Sequence, residues 1–457
     1  MTRNWRKLCS LLLVVAMMGT ILSGCGSEKE QGADTAEPSA AAETQQKQEA
    51  GDGENSSLAD AASLSFWGWI PYNNVIEPMT AAFQEEHPDI GVDVQIMDWA
   101  AYWDKLTLDL ANGEGPDVFA MNLDNYEKYK DYMEPLDELA AQVNGDDWKT
   151  LFNGKMLEST YVEEDLKIFP VDFGGQWYVF YNKTLLEELG QSVPNGYQAF
   201  ADYAKAVEND TIPMIFGGKE ALNVAYLYLW LVNNQNPGIV AKAAAGEASF
   251  EDEAFIKGFE DLRKMIDDGV IPENSFGIDP TTDADSLFKE RKSPMILTGA
   301  WQAGAYLAGT QLTDSKIAND EIGVFAMPAP MNDNPYVVGS IDHGWAINKN
   351  SKNKEAAMKL ITEWAAGDAA QIWLEELYGI PCAAGITLDT TDLPSQEAKD
   401  TIGVISATLS DQLAGPRSTG NAAVDNKTGE VVQAFVQGML DAKDAAAQMQ
   451  QAYEASK

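Results

Sequence analysis

Beyond residue 63 the chain alternates short apolar runs with stretches of helical spacing. Residues 64–69 are apolar and aromatic and predict a buried strand. Residues 75–86 place Ile76, Met79 and Phe83 at three-to-four spacing, which predicts a helix. That helix must stop before His87-Pro88, because a residue preceding proline is pushed out of the helical region. Val92, Val94 and Ile96 alternate with Asp93 and Gln95, as one face of a strand does. Residues 102–112 predict a helix closed by Gly113 and Pro116, and 117–121 predict another short strand. Alternation of this kind predicts an α/β class, a largely parallel sheet with helices on its faces.

Further along, the pattern becomes helix-heavy. Helical spacing recurs at 197–209, 222–233, 253–268, 354–367, 369–378 and 431–441. Short apolar strands are predicted at 178–181, 213–216, 294–297, 322–326 and 344–347. We find no internal repeat of fixed period.

The first 62 residues have another character. Residues 26–62 are rich in Gly, Ser, Ala, Glu, Gln and Asp and hold no aromatic residue. Such a stretch cannot bury enough apolar area to offset the entropy of ordering it, so we expect a disordered tether. Before it come Arg3, Arg6 and Lys7, then an apolar run ending at Leu22 that is short for a stop-transfer helix. This order reads as a signal peptide over 1–24. Leu22-Ser23-Gly24-Cys25 resembles the lipobox of bacterial lipoproteins, which implies cleavage before Cys25 and lipidation of its thiol, palmitate being one such group. The alternative is an ordinary signal peptide with an incidental cysteine.

Removing 1–24 takes away three cations and no acid, so the formal charge falls from −40 to about −43. So acidic a surface repels nucleic acid phosphates and anionic lipid headgroups, and we expect no nucleic acid partner. Membrane attachment then needs a covalent anchor, which Cys25 offers. Once Cys9 leaves with the signal and Cys25 is lipidated, Cys382 is the one remaining thiol, and no intramolecular disulfide is expected. The remaining chain exceeds the roughly 250–300 residues at which single cores split into domains. Two histidines and one free thiol make a zinc or redox-metal site a poor fit, and no cofactor is expected.

Five stretches in order carry a resemblance. They are Phe66-Trp67-Gly68-Trp69 with the 83–96 segment behind it, GEGPDVFAMN over 113–122, FPVDFGGQWYVFYNK over 169–183, PMILTGAW over 294–301, and 322–330 with GSIDHGWAI over 339–347. Together they resemble extracellular solute-binding protein family 1, the maltose-binding-protein-like receptors of carbohydrate ABC importers. The resemblance implies a two-lobed periplasmic-binding-protein-like fold with an interdomain cleft and hinge crossovers. Lobe one would hold 64–173 and 326–366, lobe two 174–325 and 367–457. The hinges would lie near 172–176, 325–327 and 365–368. A cleft at the carboxyl ends of parallel strands is also where α/β folds place ligands in general.

Candidate ligand-binding residues follow from that cleft. Trp67 and Trp69 share one side of a strand, and a flat ring covers the apolar face of a sugar; core packing is the alternative. Trp301 follows a strand and opens a helix, where the family presents an aromatic ring from the second lobe. Trp230 sits in a helical run, where core packing competes strongly. Asp124, just past a strand, can accept two hydroxyl hydrogens or serve as a helix N-cap, with Asn122 a neighbouring donor and acceptor. Asp172 and Gln176 flank a Gly-Gly pair at the first hinge and could bind ligand or only set the hinge. Asp342 and His343 occupy a glycine-bounded loop that faces the cleft in the family, a surface loop being the alternative. Arg417 could grip a hydroxyl or a uronate carboxylate, or form a surface ion pair.

Asp279, Asp283 and Asp285, and separately 425–430, lack the alternating spacing of a calcium loop and read as solvated loops. No metal site is expected. The expected protein is a monomeric, lipid-anchored receptor on the outer face of a bacterial cell membrane, which captures an oligosaccharide and hands it to ABC permease subunits. The alternatives are a secreted glycoside-acting enzyme, for which two carboxylates suffice, and a carbohydrate sensor or adhesin. No Gly-x-Ser-x-Gly elbow, His-Glu-x-x-His helix or Walker loop is present.

Overall fold

The computed structural model describes residues 62–70, 73–162, 164–307, 312, 315–391 and 393–457. The signal segment, Cys25 and the tether up to residue 61 lie outside the described residues. Ala62 already belongs to the first strand.

That strand, β1 (Ala62–Gly68), buries Leu64 and Phe66 on one face and leaves Ser65 and Trp67 partly exposed on the other. It leads to the helix α1 (Asn73–Glu86), then β2 (Ile90–Ile96), the helix α2 (Trp99–Ala111) and β3 (Val118–Met121). β1 pairs in parallel with both β2 and β3, so these strands end at one edge. Beyond them lie β4 (Phe169–Asn182), β5 (Ile215–Phe216), β6 (Met295–Gly299), β7 (Ile322–Ala326), β8 (Val338–Ile347) and β9 (Ile380–Pro381). The nine-stranded sheet runs β2-β1-β3-β8-β4-β6-β5, with β7 and β9 also on β4.

The 14-residue β4, buried along its whole length, connects the two lobes. Its first half pairs antiparallel with β8 and β9, its second half with β6 and β7. The pattern predicts only 178–181 here, because Asp172, Gly174, Gly175 and Gln176 interrupt the apolar run. These residues lie inside the strand, with their backbone groups paired to β8. β8 likewise begins at Val338 rather than at 344.

The first lobe's core centres on Phe66, Trp345, Trp364 and Trp373, in edge-to-face contacts with ring centroids 5.0–5.8 Å apart. A second core gathers Trp177, Tyr228, Trp230 and Phe259 beneath the helices Ala221–Gln235 and Glu253–Asp267. The helix Ala422–Val436 packs on this second body, beside Ala442–Ala455. The expected 431–441 helix is therefore corrected: it starts at Ala422 and ends at Val436, where Gly438 turns the chain at φ 73°. Helices Gln396–Asp411 and Ala442–Ala455 escape the pattern because small and polar residues fill much of their faces.

Helix Asp368–Leu377 packs on α1 and on Lys354–Ala366, β9 pairs with Asp172 and Phe173, and Cys382 donates its N–H to Val171. Residues 368–384 thus pack with α1, with Lys354–Ala366 and with the first half of β4. Among the described residues no helix is long and apolar enough to cross a membrane.

Candidate ligand-binding site

β3 ends at Met121, and the chain then makes a tight turn over Leu123–Asn125. Asn122 caps that turn: its Oδ1 accepts from the N–H of Asn125 at 3.2 Å and from Asn125 Nδ2 at 2.8 Å. This assigns Asn122 a local capping role and leaves Asp124 free of one. The Asp124 carboxylate faces the segment between the helices Gln396–Asp411 and Ala422–Val436 instead. There it accepts from Arg417 Nε and, at 3.0 Å, from Ser418 Oγ.

Arg417 is a buried cation rather than a surface one. Its Nη2 donates to Asp342 at 2.9 Å, and its guanidinium lies 5.2 Å from the Trp301 ring centroid and 5.9 Å from that of Tyr226. Burial alone would lower its pKa, but the carboxylates of Asp124 and Asp342 outweigh that and raise it above the ordinary value. The segment that carries Arg417 is held against β8: Val337 and Gly339 donate their N–H groups to Gln412 and Gly415, each at 2.9 Å.

Trp301 stands in the turn Ala300–Gln302 that follows β6. Its ring folds back over Gly299, where a Cβ would come within 2.0 Å of the indole, so only glycine fits that approach. Gly174 plays the same part on β4, since a Cβ there would sit 2.6 Å from that of Asp342. Asp342 and His343 lie within β8, not in a surface loop, and both are buried.

A second group adjoins the first through the His343 ring, whose Nδ1 is 3.9 Å from Asp342. That nitrogen is 2.9 Å from Asp172 Oδ1, and Asp172 also accepts the indole N–H of Trp373 at 3.0 Å. Burial pulls the His343 pKa down, but Asp172 and Asp342 overcome it and raise it above 6.5. Trp69, just past β1, lies 6.0 Å from the His343 ring and within 5.0–5.2 Å of Trp99, Tyr102 and Trp103. Gln176 is buried where β4 passes from β8 to β6, and its Oε1 has no hydrogen-bond partner among the described residues.

The structure thus joins Asp124, Asp342, Arg417 and Trp301, and beside them Asp172, His343 and Trp69. It separates two candidates. Trp230 is 0 % exposed and donates its N–H to the Tyr336 carbonyl at 2.7 Å, so it is core. Trp67 is capped by the Lys105 ammonium, 4.0 Å from its ring centroid, and packs against the first core. Tyr226, Ser418, Trp373 and Asp425 were not legible as site neighbours. Asp425 corrects the solvated-loop expectation: it is 5 % exposed, in the helix Ala422–Val436, and accepts from Thr419 N and Oγ1 at 3.0 and 2.7 Å. Burial foremost, with the Asp124 charge adding to it, pushes Asp425 up to about 7 against the Thr419 bonds. Asp279 instead accepts from Thr281 and Thr282, which closes a turn ahead of the helix Asp283–Lys289.

Chemically the cluster offers carboxylate acceptors, a guanidinium donor and flat aromatic faces, drawn from both lobes. Comparison with known proteins agrees with such a binding role. The chain is 23% identical over 406 residues to the galactooligosaccharide-binding protein of Bacillus subtilis (strain 168), covering 86% of this chain and 85% of that one. Its fold matches a chitin oligosaccharide binding protein at a TM-score of 0.71 and 20% identity, over 87% of this chain and 99% of the other. It also matches the maltose/maltodextrin-binding domain of Bdellovibrio bacteriovorus at 0.66 and 19%, over 86% and 99%. Residues 71–372 match the family described as bacterial extracellular solute-binding protein, and the chain belongs to that family.

Proposed function

We propose that this protein captures a neutral oligosaccharide between its lobes and delivers it to the membrane subunits of an ABC importer. The carrying observation is the cluster itself. Trp301 and Arg417 from the second lobe meet Asp124 from the first, with Asp342 on the strand between them. A sugar's apolar face suits an indole, and its hydroxyls suit carboxylates, whose charge-assisted bonds are the strong ones. The proteins named above as binding galactooligosaccharide, chitin oligosaccharide and maltose or maltodextrin support the same class.

Neutrality follows from the charges. Arg417 already holds two carboxylates, so a uronate would meet Asp124 and Asp342 rather than a free guanidinium. That revises the uronate option raised from the sequence. Binding would work by hinge closure, in which a ligand touching both lobes favours the closed state by its differential affinity. Micromolar affinity needs about −8 kcal/mol, within reach of stacked rings and a few charge-assisted bonds.

In this proposal the mature protein is a monomer anchored by lipid on Cys25. An enzyme is disfavoured on a specific ground. The family matched and the relative named above are binding proteins, and Asp124 and Asp342 both act as acceptors for one guanidinium. Isothermal calorimetry against a panel of neutral and acidic oligosaccharides tests the proposal. Saturable binding of a neutral sugar with no release of new reducing ends is expected. Binding of uronates alone, or hydrolysis, would refute it.

A further inference from the structure

The parallel strands of the first lobe stand in the order β2-β1-β3 and end at one edge. Neighbouring strands lie roughly 4.8 Å apart, so the residues after their ends form a row across the lobe. After β3 comes Asp124 and after β1 comes Trp69, both already part of the cluster. After β2 come Asp98 and Trp99. Trp99 opens α2 and is 41% exposed, the indole ring standing 5.0 Å from Trp69 at an interplanar angle of 88°. Behind it, Trp103 lies 5.2 Å away at 84°, so one side of Trp99 is supported while the rest meets solvent. Asp98 is exposed at the N-cap position, yet its carboxylate makes no capping bond to α2.

We infer that Asp98 and Trp99 form an outer sugar subsite, continuous with Trp69, that receives the third or a later unit of a neutral oligosaccharide. The inference rests on the carbohydrate reading above and adds chain length to it. The row gives the order: Asp124, with Trp301 and Arg417 facing it, is innermost, Trp69 is next, and Trp99 is one strand further out. An aromatic ring and a carboxylate stand there as chain neighbours, the two chemistries that Trp301 and the carboxylates of Asp124 and Asp342 supply to the inner cluster. The signal was present in the sequence, since Asp98-Trp99 stands one residue beyond the end of the strand 92–96.

The test uses galacto-, malto- and xylooligosaccharides of two to five units, titrated calorimetrically into the wild-type protein, Trp99→Ala and Trp99→Phe. For the series that binds, wild-type affinity should rise from two units to three or more. Trp99→Ala should lose at least fivefold for three units and longer and less than twofold for the disaccharide, and Trp99→Phe should recover most of that loss. Equal affinities for wild type and Trp99→Ala at every length would overturn the subsite while leaving the carbohydrate site intact. So would an equal loss at every length, which would mean that Trp99 only supports Trp69. A wild-type protein that binds no member of the three series removes the underlying reading, and the subsite with it.

Discussion

At the scale of single residues, Arg417 holds two buried carboxylates that would otherwise face each other's field without a counter-charge. Removing one member of a buried pair costs far more than the pair contributes net, because the remaining charges keep their desolvation penalty. Arg417→Ala should lower unfolding stability by about 3 kcal/mol or more in urea titrations. A change below about 1 kcal/mol would show that Asp124 and Asp342 are solvated instead. Trp301→Ala should weaken oligosaccharide binding at least tenfold, about 1.4 kcal/mol, by calorimetry; unchanged affinity would remove Trp301 from the site. Two buried titrating groups set a pH dependence. His343 is raised above 6.5, so its contribution is complete below that pH and is lost as pH rises through the folded value. Asp425 is raised from 3.8 to about 7, so its contribution is likewise lost as pH rises through about 7. Carboxylates held low, such as Asp268, titrate well below this range and do not oppose the trend. The urea midpoint should therefore fall as pH rises from about 5 to about 7, and Asp425→Asn should flatten that slope. A midpoint that rises over this interval contradicts both assignments.

Among the elements, β4 matters most, because one strand serves both lobes and carries Asp172, Gly174 and Gln176 between them. Its polar and glycine positions obscured it as a strand, since a period-two pattern needs side chains to be visible. Only pairing with β8 shows that Gly174 makes room for Asp342. The turn after β6 follows the same logic at Gly299. Gly299→Ala places a Cβ inside the van der Waals radius of the Trp301 ring, so the ring must move. Overpacking of this sort costs typically about 1–3 kcal/mol. The variant should reproduce most of the affinity loss of Trp301→Ala while keeping the indole; wild-type affinity would show that the ring's place over Gly299 does not matter. Helix boundaries were legible where capping and periodicity agreed, as at Glu253–Asp267, which the Asp252 side chain caps. They were lost at Ala442–Ala455, where alanine and glutamine leave little apolar contrast.

For the whole molecule, ligand that bridges both lobes stabilises the folded, closed form by mass action. At a sugar concentration about 100 times the dissociation constant, the gain is about 2.7 kcal/mol, readable as a rise in melting temperature. Small-angle scattering should show a smaller radius of gyration with the sugar than without it. The Arg417–Asp124 contact already joins the lobes, so Arg417→Ala should enlarge the ligand-free radius. Equal radii for wild type and variant would mean that other contacts hold the lobes together.

The sequence by itself determined the alternation of strands and helices, the α/β class, the family motifs and the supply of aromatic and acidic side chains. These are local properties: apolar spacing decides which face is buried, and proline and glycine decide where an element stops. Tertiary structure decided which of those side chains meet. Asp124 and Arg417 are 293 residues apart, and no local pattern could pair them, because their contact depends on the order of strands in the sheet. The same order sent Trp230 into the second core, placed Trp69 beside His343, and set Trp99 at the outer end of the row. A tryptophan's chemistry is the same in all three places; burial and neighbours, which only folding supplies, give each its role.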